Sequence, residues 1–82
     1  MIDNYIVAKS ITDSLEIPTI NKDCFNNFFF NFKGNFITLS FFDDFVNVST
    51  NAFSSHLKKY SRTFTNCDFK SEICNYLKSL IQ

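Results

Sequence analysis

The 82-residue sequence is too short for two ordinary domains, and a chain of this size removes only about 60–65% of its unfolded surface from water on folding. Its core must therefore come from large side chains, and 12 of its residues are Phe. Eight basic and eight acidic residues give a net charge of zero, which excludes a global field that would draw the protein onto nucleic acid or an anionic membrane. We predict a single α+β domain over residues 1–82.

The N-terminus carries no basic segment followed by a long apolar run, and no stretch approaches the ~20 apolar residues of a membrane span. The three Cys residues are an odd number, which argues against a disulfide framework. We therefore predict a cytoplasmic protein with reduced thiols and no membrane partner. The frequent Asn, Lys, Ile, Phe and Tyr have A/T-rich codons, a usage associated with many viral, phage and AT-rich bacterial genes.

The first predicted element is a helix from about Tyr5 to Glu16, with Asp3 or Asn4 as its N-cap. Pro18 ends this helix, because the residue before a proline is pushed out of the α region. The apolar residues that recur at helical spacing on one face are Val7, Ala8, Ile11 and Leu15.

The segment from Phe25 to Ser49 alternates apolar and polar residues with a period of two, which is typical of β-strands. Gly34-Asn35 and Asp43-Asp44 are predicted as two-residue turns, so the segment folds as a three-stranded antiparallel meander. One face of this sheet is then apolar throughout. Its predicted rows of facing residues are Phe28-Phe41-Val46 and Phe30-Leu39-Val48.

Two further helices are predicted after the sheet. The first runs from about Ala52 to Tyr60, with Ser49 or Thr50 as its cap. The second runs from about Asp68 to Ile81 and is opened by the capping pattern Thr65-Asn66-Cys67-Asp68. The predicted order is therefore α-β-β-β-α-α, with the helices packed on the Phe-rich face of the sheet. The first of these two helices is expected to present to the core Phe53, Leu57 and Tyr60.

The order α-β-β-β-α within this prediction is similar to that of double-stranded-RNA-binding domains. Those domains place a basic cluster at the start of the helix that follows the sheet. In this sequence that start is Asn51-Ala52-Phe53-Ser54-Ser55, which contains no basic residue. The phosphate-binding positions of the family therefore do not carry over, and the resemblance covers element order only.

Candidate catalytic groups are few. His56 is the only histidine, so any mechanism that needs an imidazole near neutral pH must use it, together with a Cys in a nucleophilic mechanism. His56 and the three thiols of Cys24, Cys67 and Cys74 lack the closely spaced ligand pairs of structural zinc sites. A turn explains Asp43-Asp44, and one Gly cannot form a phosphate-binding glycine loop. We predict no enzyme, no cofactor and no metal site, while redox sensing by Cys67 stays open.

The other face of the predicted sheet mixes Phe with uncharged polar side chains and has Lys33 as its only charge. This composition is found at the desolvated centres of protein interfaces. Two interpretations stay open: the face is a docking surface, or the first helix or a loop covers it. The candidate protein-binding residues on this face are Phe29, Phe36, Phe42, Phe45, Asn31 and Asn47.

One cluster combines basic and aromatic residues, at Lys58-Lys59-Tyr60-Ser61-Arg62. It is interpreted either as a helix C-terminus with favourable charge or as a site that contacts phosphates while Tyr60 stacks on a base. The candidate nucleic-acid-binding residues are Lys58, Lys59, Tyr60 and Arg62, with Lys33 as a further contact.

The sequence favours a non-catalytic small protein-interaction module that docks a sheet face or a free strand edge onto a larger protein or onto a second copy of itself. An inhibitor, immunity or anti-defence protein of phage or mobile-element origin, such as an anti-CRISPR-like protein, fits the small size and the missing active site. The alternative hypothesis is a nucleic-acid-binding domain that uses the basic cluster.

Overall fold

The computed structural model describes residues 4–81, which form two helices and a five-stranded antiparallel sheet. The strand order in the sheet equals the order in the sequence, so the sheet is a meander. The predicted α+β class is confirmed, but the prediction of three strands in the order α-β-β-β-α-α is wrong. The elements are α1 Asn4–Ser14, β1 Asn21–Lys22, β2 Asn27–Phe32, β3 Asn35–Phe41, β4 Phe45–Thr50, β5 Tyr60–Thr65 and α2 Phe69–Leu80.

The β2–β3 hairpin turns at Lys33-Gly34 and not, as predicted, at Gly34-Asn35. Both turn residues have positive φ, 51° and 82°, which defines the primed turn whose twist matches that of the flanking strands. Because the turn lies one residue earlier, every pair between the two strands slides by two residues, and Phe28 faces Leu39 and not Phe41. A slide of two residues keeps each side chain on its predicted face, so the apolar face survives the error.

The β3–β4 hairpin turns at Asp43-Asp44, as predicted. Phe41 faces Val46, and Leu39 faces Val48. The Phe28 and Phe41 rings, which were expected to face each other directly, are diagonal neighbours and still touch edge to face, with centroids 5.4 Å apart.

Helix α1 agrees with the predicted span to within two residues at its C-terminal end. It ends before Pro18, because Glu16 adopts the left-handed conformation with φ 59°. The Ile17 N–H then donates a hydrogen bond of 2.8 Å back to the Thr12 carbonyl, which closes the last turn. The predicted N-cap residue Asp3 lies outside the described residues.

Helix α2 begins directly after Asp68, which is its N-cap. The Asp68 carboxylate accepts hydrogen bonds from the backbone N–H and the Oγ of Ser71, at 3.4 and 3.0 Å. The capping pattern was predicted to begin at Thr65, but Thr65 is the last residue of β5. Ile73 and Leu77 on the inner side of α2 have no exposed surface.

The predicted helix from about Ala52 to Tyr60 is not formed. Residues 51–59 are a loop, and Tyr60 begins β5. The side chains that were expected to reach the core are exposed: Phe53 at 80%, Leu57 at 42% and Tyr60 at 41%. The next segment has the aromatic and β-branched alternation of a strand, and its Phe64 is buried. Because a strand and not a helix follows β4, the similarity to double-stranded-RNA-binding domains in element order is lost.

Both helices pack on the same side of the sheet. The Tyr5 ring of α1 lies 6.4 Å from the Phe28 ring of β2, and the Tyr76 ring of α2 lies 5.5 Å from the Phe64 ring of β5. Between residues 4 and 81, neither helix has the length and apolar character needed to cross a membrane. The apolar side chains without any exposed surface are Ala8, Ile11, Phe28, Ile37, Leu39, Val48, Ile73 and Leu77.

Candidate protein-binding surface

The side of the sheet that faces away from α1 and α2 is not covered by a helix in the described residues, and we call it the outer face. The interpretation in which the first helix covers this face is therefore wrong. All six candidate protein-binding residues lie on the outer face. Its side chains come from Asn27, Phe29 and Asn31 on β2, Phe36, Thr38 and Ser40 on β3, Phe45, Asn47 and Ser49 on β4, Ser61, Thr63 and Thr65 on β5, and Phe42 beside β3.

Two groups of Phe rings lie at opposite ends of the outer face. At one end Phe29 stacks on Phe36 with centroids 5.8 Å apart, and Phe53, from the loop after β4, meets Phe36 edge on at 5.9 Å. At the other end Phe42 and Phe45 stack at 4.6 Å. The loop thus covers only the corner around Phe36, and Phe42 keeps 55% of its surface in water. Exposed aromatic surface of this kind marks interaction sites.

Hydroxyl and amide side chains fill the space between the two aromatic groups and bond to one another. The Asn47 Nδ2 donates to Ser61 Oγ at 3.3 Å and to Thr63 Oγ1 at 3.1 Å, while Ser49 Oγ donates to Asn47 Oδ1 at 3.0 Å. Thr38 Oγ1 is the one buried side-chain oxygen or nitrogen in residues 4–81 without a hydrogen-bond partner. The middle of the outer face is therefore polar but uncharged.

Charged side chains gather at the two ends of the sheet. In a meander the connections that follow β1, β3 and β5 lie at one end, and those that follow β2 and β4 lie at the other. Lys33 was expected on the outer face, but its Nζ lies 5.3 Å from the Phe32 ring, toward the helix side. The α1–β1 connection adds one acid, Glu16, to the second end. The first end, here the acidic end, carries Asp23, Asp43, Asp44 and Asp68, and the second, the basic end, carries Lys33, Lys58 and Lys59.

An open groove of about 1,240 Å³ lies at the acidic end, where it extends from Phe42 and Phe45 of the outer face to Val7 of α1 and Phe69 of α2 on the helix side. Phe42 and Phe45 line its edge, together with Asp43, Asp44 and Asp68. The groove therefore combines apolar rings with carboxylates, which suits a segment that carries both aromatic and basic side chains.

Asn51 fixes the loop that brings Phe53 beside the outer face. It is only 2% exposed and has a φ of 53°. Its Oδ1 accepts a hydrogen bond from the Phe36 N–H at 3.0 Å, while its Nδ2 donates to Asn35 Oδ1 at 2.9 Å and to the Lys58 carbonyl at 2.7 Å. The side-chain amide thus continues the β3–β4 ladder where the main chain turns away. Sequence reasoning missed this role, although Asn directly after a strand is a residue that tolerates positive φ.

The structure divides the predicted nucleic-acid-binding cluster. Arg62 lies on the helix side of β5, with its guanidinium carbon 4.9 Å from the Phe64 ring centroid and 5.4 Å from that of Tyr76. These cation–π contacts hold the Arg62 side chain against α2. Arg62 therefore does not extend from the same surface as the lysines of the loop.

Three of the other candidate nucleic-acid-binding residues lie around one cavity. Lys33, Lys58 and Tyr60 line a cavity of about 360 Å³ at the basic end, whereas Lys59 is exposed and does not line it. Leu80, at the C-terminal end of α2, also lines this cavity. The carbonyl groups of a helix C-terminus carry partial negative charge, which opposes the binding of a phosphate there.

The candidate catalytic residues are not brought together as a site. His56 is exposed in the loop, and in the described part of the chain no three His, Cys, Asp or Glu side chains lie close enough to hold a metal ion. Burial raises the pKa of the Cys74 thiol, whose Sγ donates to the Ile11 carbonyl at 3.7 Å. Burial, followed by the Glu72 carboxylate, raises the pKa of Cys67. Both shifts lower the thiolate fraction at neutral pH, so neither thiol is an activated nucleophile.

Alkylation of the folded protein is expected to modify Cys24 first, Cys67 more slowly and Cys74 only after opening of the core. Cys24 is exposed, Cys67 is half-buried and Cys74 is buried. An opening that costs about 3 kcal/mol would slow the modification of Cys74 by about 100-fold relative to Cys24. Peptide mass spectrometry after timed iodoacetamide pulses, with and without urea, measures the order. Equal native rates at Cys24 and Cys74 would contradict the described packing of α2.

No protein-family model matches this chain, and neither a curated protein nor a solved structure matches it. The function must therefore be argued from the residues and their geometry.

Proposed function

We propose that this chain is a non-catalytic protein-binding module and that the outer face is its docking surface. The observation that supports the proposal is one whole side of a five-stranded sheet that neither helix of residues 4–81 covers, with paired Phe rings at both ends and no charged side chain on its strands. Interface centres are rich in aromatic residues and poor in Lys, Glu and Asp. A sheet face meant to stay in water would carry those charges.

The size of the outer face sets the kind of interface that it can form. Four strands of six or seven residues, ~4.8 Å apart, span roughly 20 by 20 Å, and the two-residue β1 brings the area to about 430 Å² before surface relief is counted. A small specific interface takes about 600 Å² from each partner. The outer face with the adjoining acidic groove reaches that range.

In this proposal the protein acts by covering a surface of its partner protein and thereby blocking it. A partner that buries the exposed ring of Phe42 and its stacked neighbour Phe45 gains apolar contact, while the strands of the outer face carry no charge that it would have to desolvate. An inhibitor, immunity or anti-defence protein that blocks a larger protein works in this way, and we keep that role, with a phage or mobile-element origin and a cytoplasmic location, as part of the proposal.

The double change Phe42→Thr and Phe45→Thr is expected to weaken binding to a partner protein by about 10- to 100-fold, because each ring is a candidate hot spot at the edge of the acidic groove. Thr preserves the strand preference of these positions. The measurement is isothermal titration against the partner recovered with the tagged wild-type chain.

The matched control is Ile6→Ser on α1, which removes an exposed apolar side chain on the opposite side of the sheet. Binding by this control should equal binding by the wild type. Full affinity of the Phe42 and Phe45 variant, with the urea midpoint unchanged, would remove the outer face as the docking surface.

The alternative function, nucleic-acid binding, is favoured by one observation: Lys33, Lys58 and Tyr60 share a cavity. Salt distinguishes the two functions. Binding through phosphate contacts weakens by several powers of ten between 50 and 200 mM salt, whereas binding through the outer face, where only the charges at its rims are screened, weakens much less. The change Phe42→Thr with Phe45→Thr should weaken outer-face binding and leave nucleic-acid binding unchanged.

A further inference from the structure

We propose that the partner of the outer face is a second copy of this chain, packed face to face about a two-fold axis that lies in the interface and crosses the strands. This inference rests on the proposed function, because it names the occupant of the same surface. A larger protein that binds the outer face would then have to displace the second copy.

The overall charge permits self-association. Eight basic and eight acidic residues cancel, so two copies have no net repulsion. The charges next to the outer face lie in the connections at the two ends of the sheet, and those of Lys22, Arg62 and the helices lie on the helix side, so the outer face itself carries none. The surface therefore brings two copies together without burying an unpaired ion.

The arrangement of charge selects the direction of the two-fold axis. With an axis along the strands, the acidic end of one copy would lie against the acidic end of the other. Asp43 and Asp44 would then face the same two residues of the second copy. An axis across the strands reverses the strand direction of the second copy, so that Asp43 and Asp44 approach Lys33 and Lys58 of the second copy. Symmetry repeats this contact at the opposite rim. Complementary rims favour the second arrangement, and like-charged rims disfavour the first.

The same axis also matches the side chains of the two faces. When the axis passes at the level of Leu39, one residue from the middle of β3, Phe36 lies opposite Phe42 of the second copy and Thr38 lies opposite Ser40. Aromatic rings thus meet aromatic rings at the two ends, and small polar side chains meet small polar side chains between them. The usual angle of about −30° between packed sheets shifts the corners but keeps this central match.

The acidic groove completes the contact. In this arrangement the part of the groove lined by Phe42 and Phe45 faces the loop at the basic end of the second copy, which carries Phe53 and Lys58. The two faces together give about 860 Å² before surface relief and the groove are counted, which is below the ~1,200 Å² of small specific interfaces and suits a weak dimer. We therefore expect a dimer that dissociates in the micromolar range, with its affinity reduced by salt.

The test is sedimentation velocity of the full chain from about 1 µM to 1 mM, with two charge-reversed variants. One variant carries Asp43→Lys and Asp44→Lys, and the other carries Lys33→Glu and Lys58→Glu. All four side chains are exposed in turns or the loop, so the changes leave the core intact. Each variant alone is expected to dimerise at least 10-fold more weakly than the wild type, because each rim then joins like charges.

An equimolar mixture of the two variants is expected to recover the wild-type affinity, because both rims of a mixed dimer join opposite charges. Failure of the mixture to recover, or dimers unaffected by either reversal, would overturn the proposed axis. A chain of 9.6 kDa that stays monomeric throughout would overturn the dimer. The proposed protein-binding function of the outer face would survive that result if Phe42→Thr with Phe45→Thr still weakened a complex with a different protein.

Discussion

Phe28→Ala is expected to lower the free energy of unfolding by about 3–5 kcal/mol. The Phe28 side chain has no exposed surface and contacts the rings of Tyr5 and Phe41, so its removal leaves a cavity beneath α1. A domain of this length has a total stability of roughly 4–12 kcal/mol, so this one change removes a large part of it. Urea unfolding followed by circular dichroism measures the loss.

The adjacent residue provides the control. Phe29 lies half-buried on the outer face and stacks on Phe36, so Phe29→Ala should lose about 1–2 kcal/mol, the energy of a half-buried aromatic pair. Two neighbouring phenylalanines would then differ severalfold in their effect on stability. Equal losses would show that both sides of the sheet are buried, which would contradict the outer face as a free surface.

Asn51→Ala is expected to cost about 3 kcal/mol, the second largest effect. The change removes hydrogen-bond partners from the Phe36 N–H, the Asn35 side chain and the Lys58 carbonyl, at roughly 1 kcal/mol each. It also places Ala at positive φ, which costs roughly 1–2 kcal/mol. We expect the freed polar groups to regain a similar amount by binding water, so the total stays at about 3 kcal/mol.

Two further variants separate these contributions. Asn51→Gly removes the hydrogen bonds without the backbone strain, and Asn51→Asp keeps the acceptor for the Phe36 N–H but loses both donated bonds. Amide hydrogen exchange at Phe36 should accelerate in the Ala and Gly variants and stay slow in the Asp variant. Unchanged exchange at Phe36 in Asn51→Ala, with a loss below about 1 kcal/mol, would contradict the role assigned to Asn51.

The two faces of the sheet could be predicted from the sequence, because the alternation of apolar and polar residues assigns each side chain to a face even when a turn is placed one residue away. The turn at Lys33-Gly34 was placed one residue too late, yet the register moved by two, and each side chain kept its face. For the same reason the six candidate residues of the outer face were assigned to the correct side without knowledge of the turn type.

The segment after β4 could not be predicted in the same way. Phe53, Leu57 and Tyr60 have helical spacing, but the side-chain amide of Asn51 bonds to three groups that a helix starting at Ala52 would not bring to it. That arrangement depends on residues 15 and 16 positions away in the chain, Phe36 and Asn35, which no local pattern contains. Tertiary contacts override the local preference here.

The separation of charge between the two ends depended on this same segment. A helix from Ala52 to Tyr60 would have carried Lys58 and Lys59 to the core side of the sheet, away from the outer face. Strand β5 instead leaves them in a connection at the end opposite Asp43 and Asp44. The composition of the outer face was therefore visible in the sequence, whereas its charged rims required the full topology.

The meander order has a consequence for how the chain is made. Every strand pairs with the strand next to it in sequence, so the sheet can form one hairpin at a time, within milliseconds and while the chain is still being synthesised. Helix α2, at residues 69–80, leaves the ribosome after all five strands. Until α2 docks, the apolar face of the new sheet is covered by α1 alone. The nascent protein is most prone to misassembly during this interval.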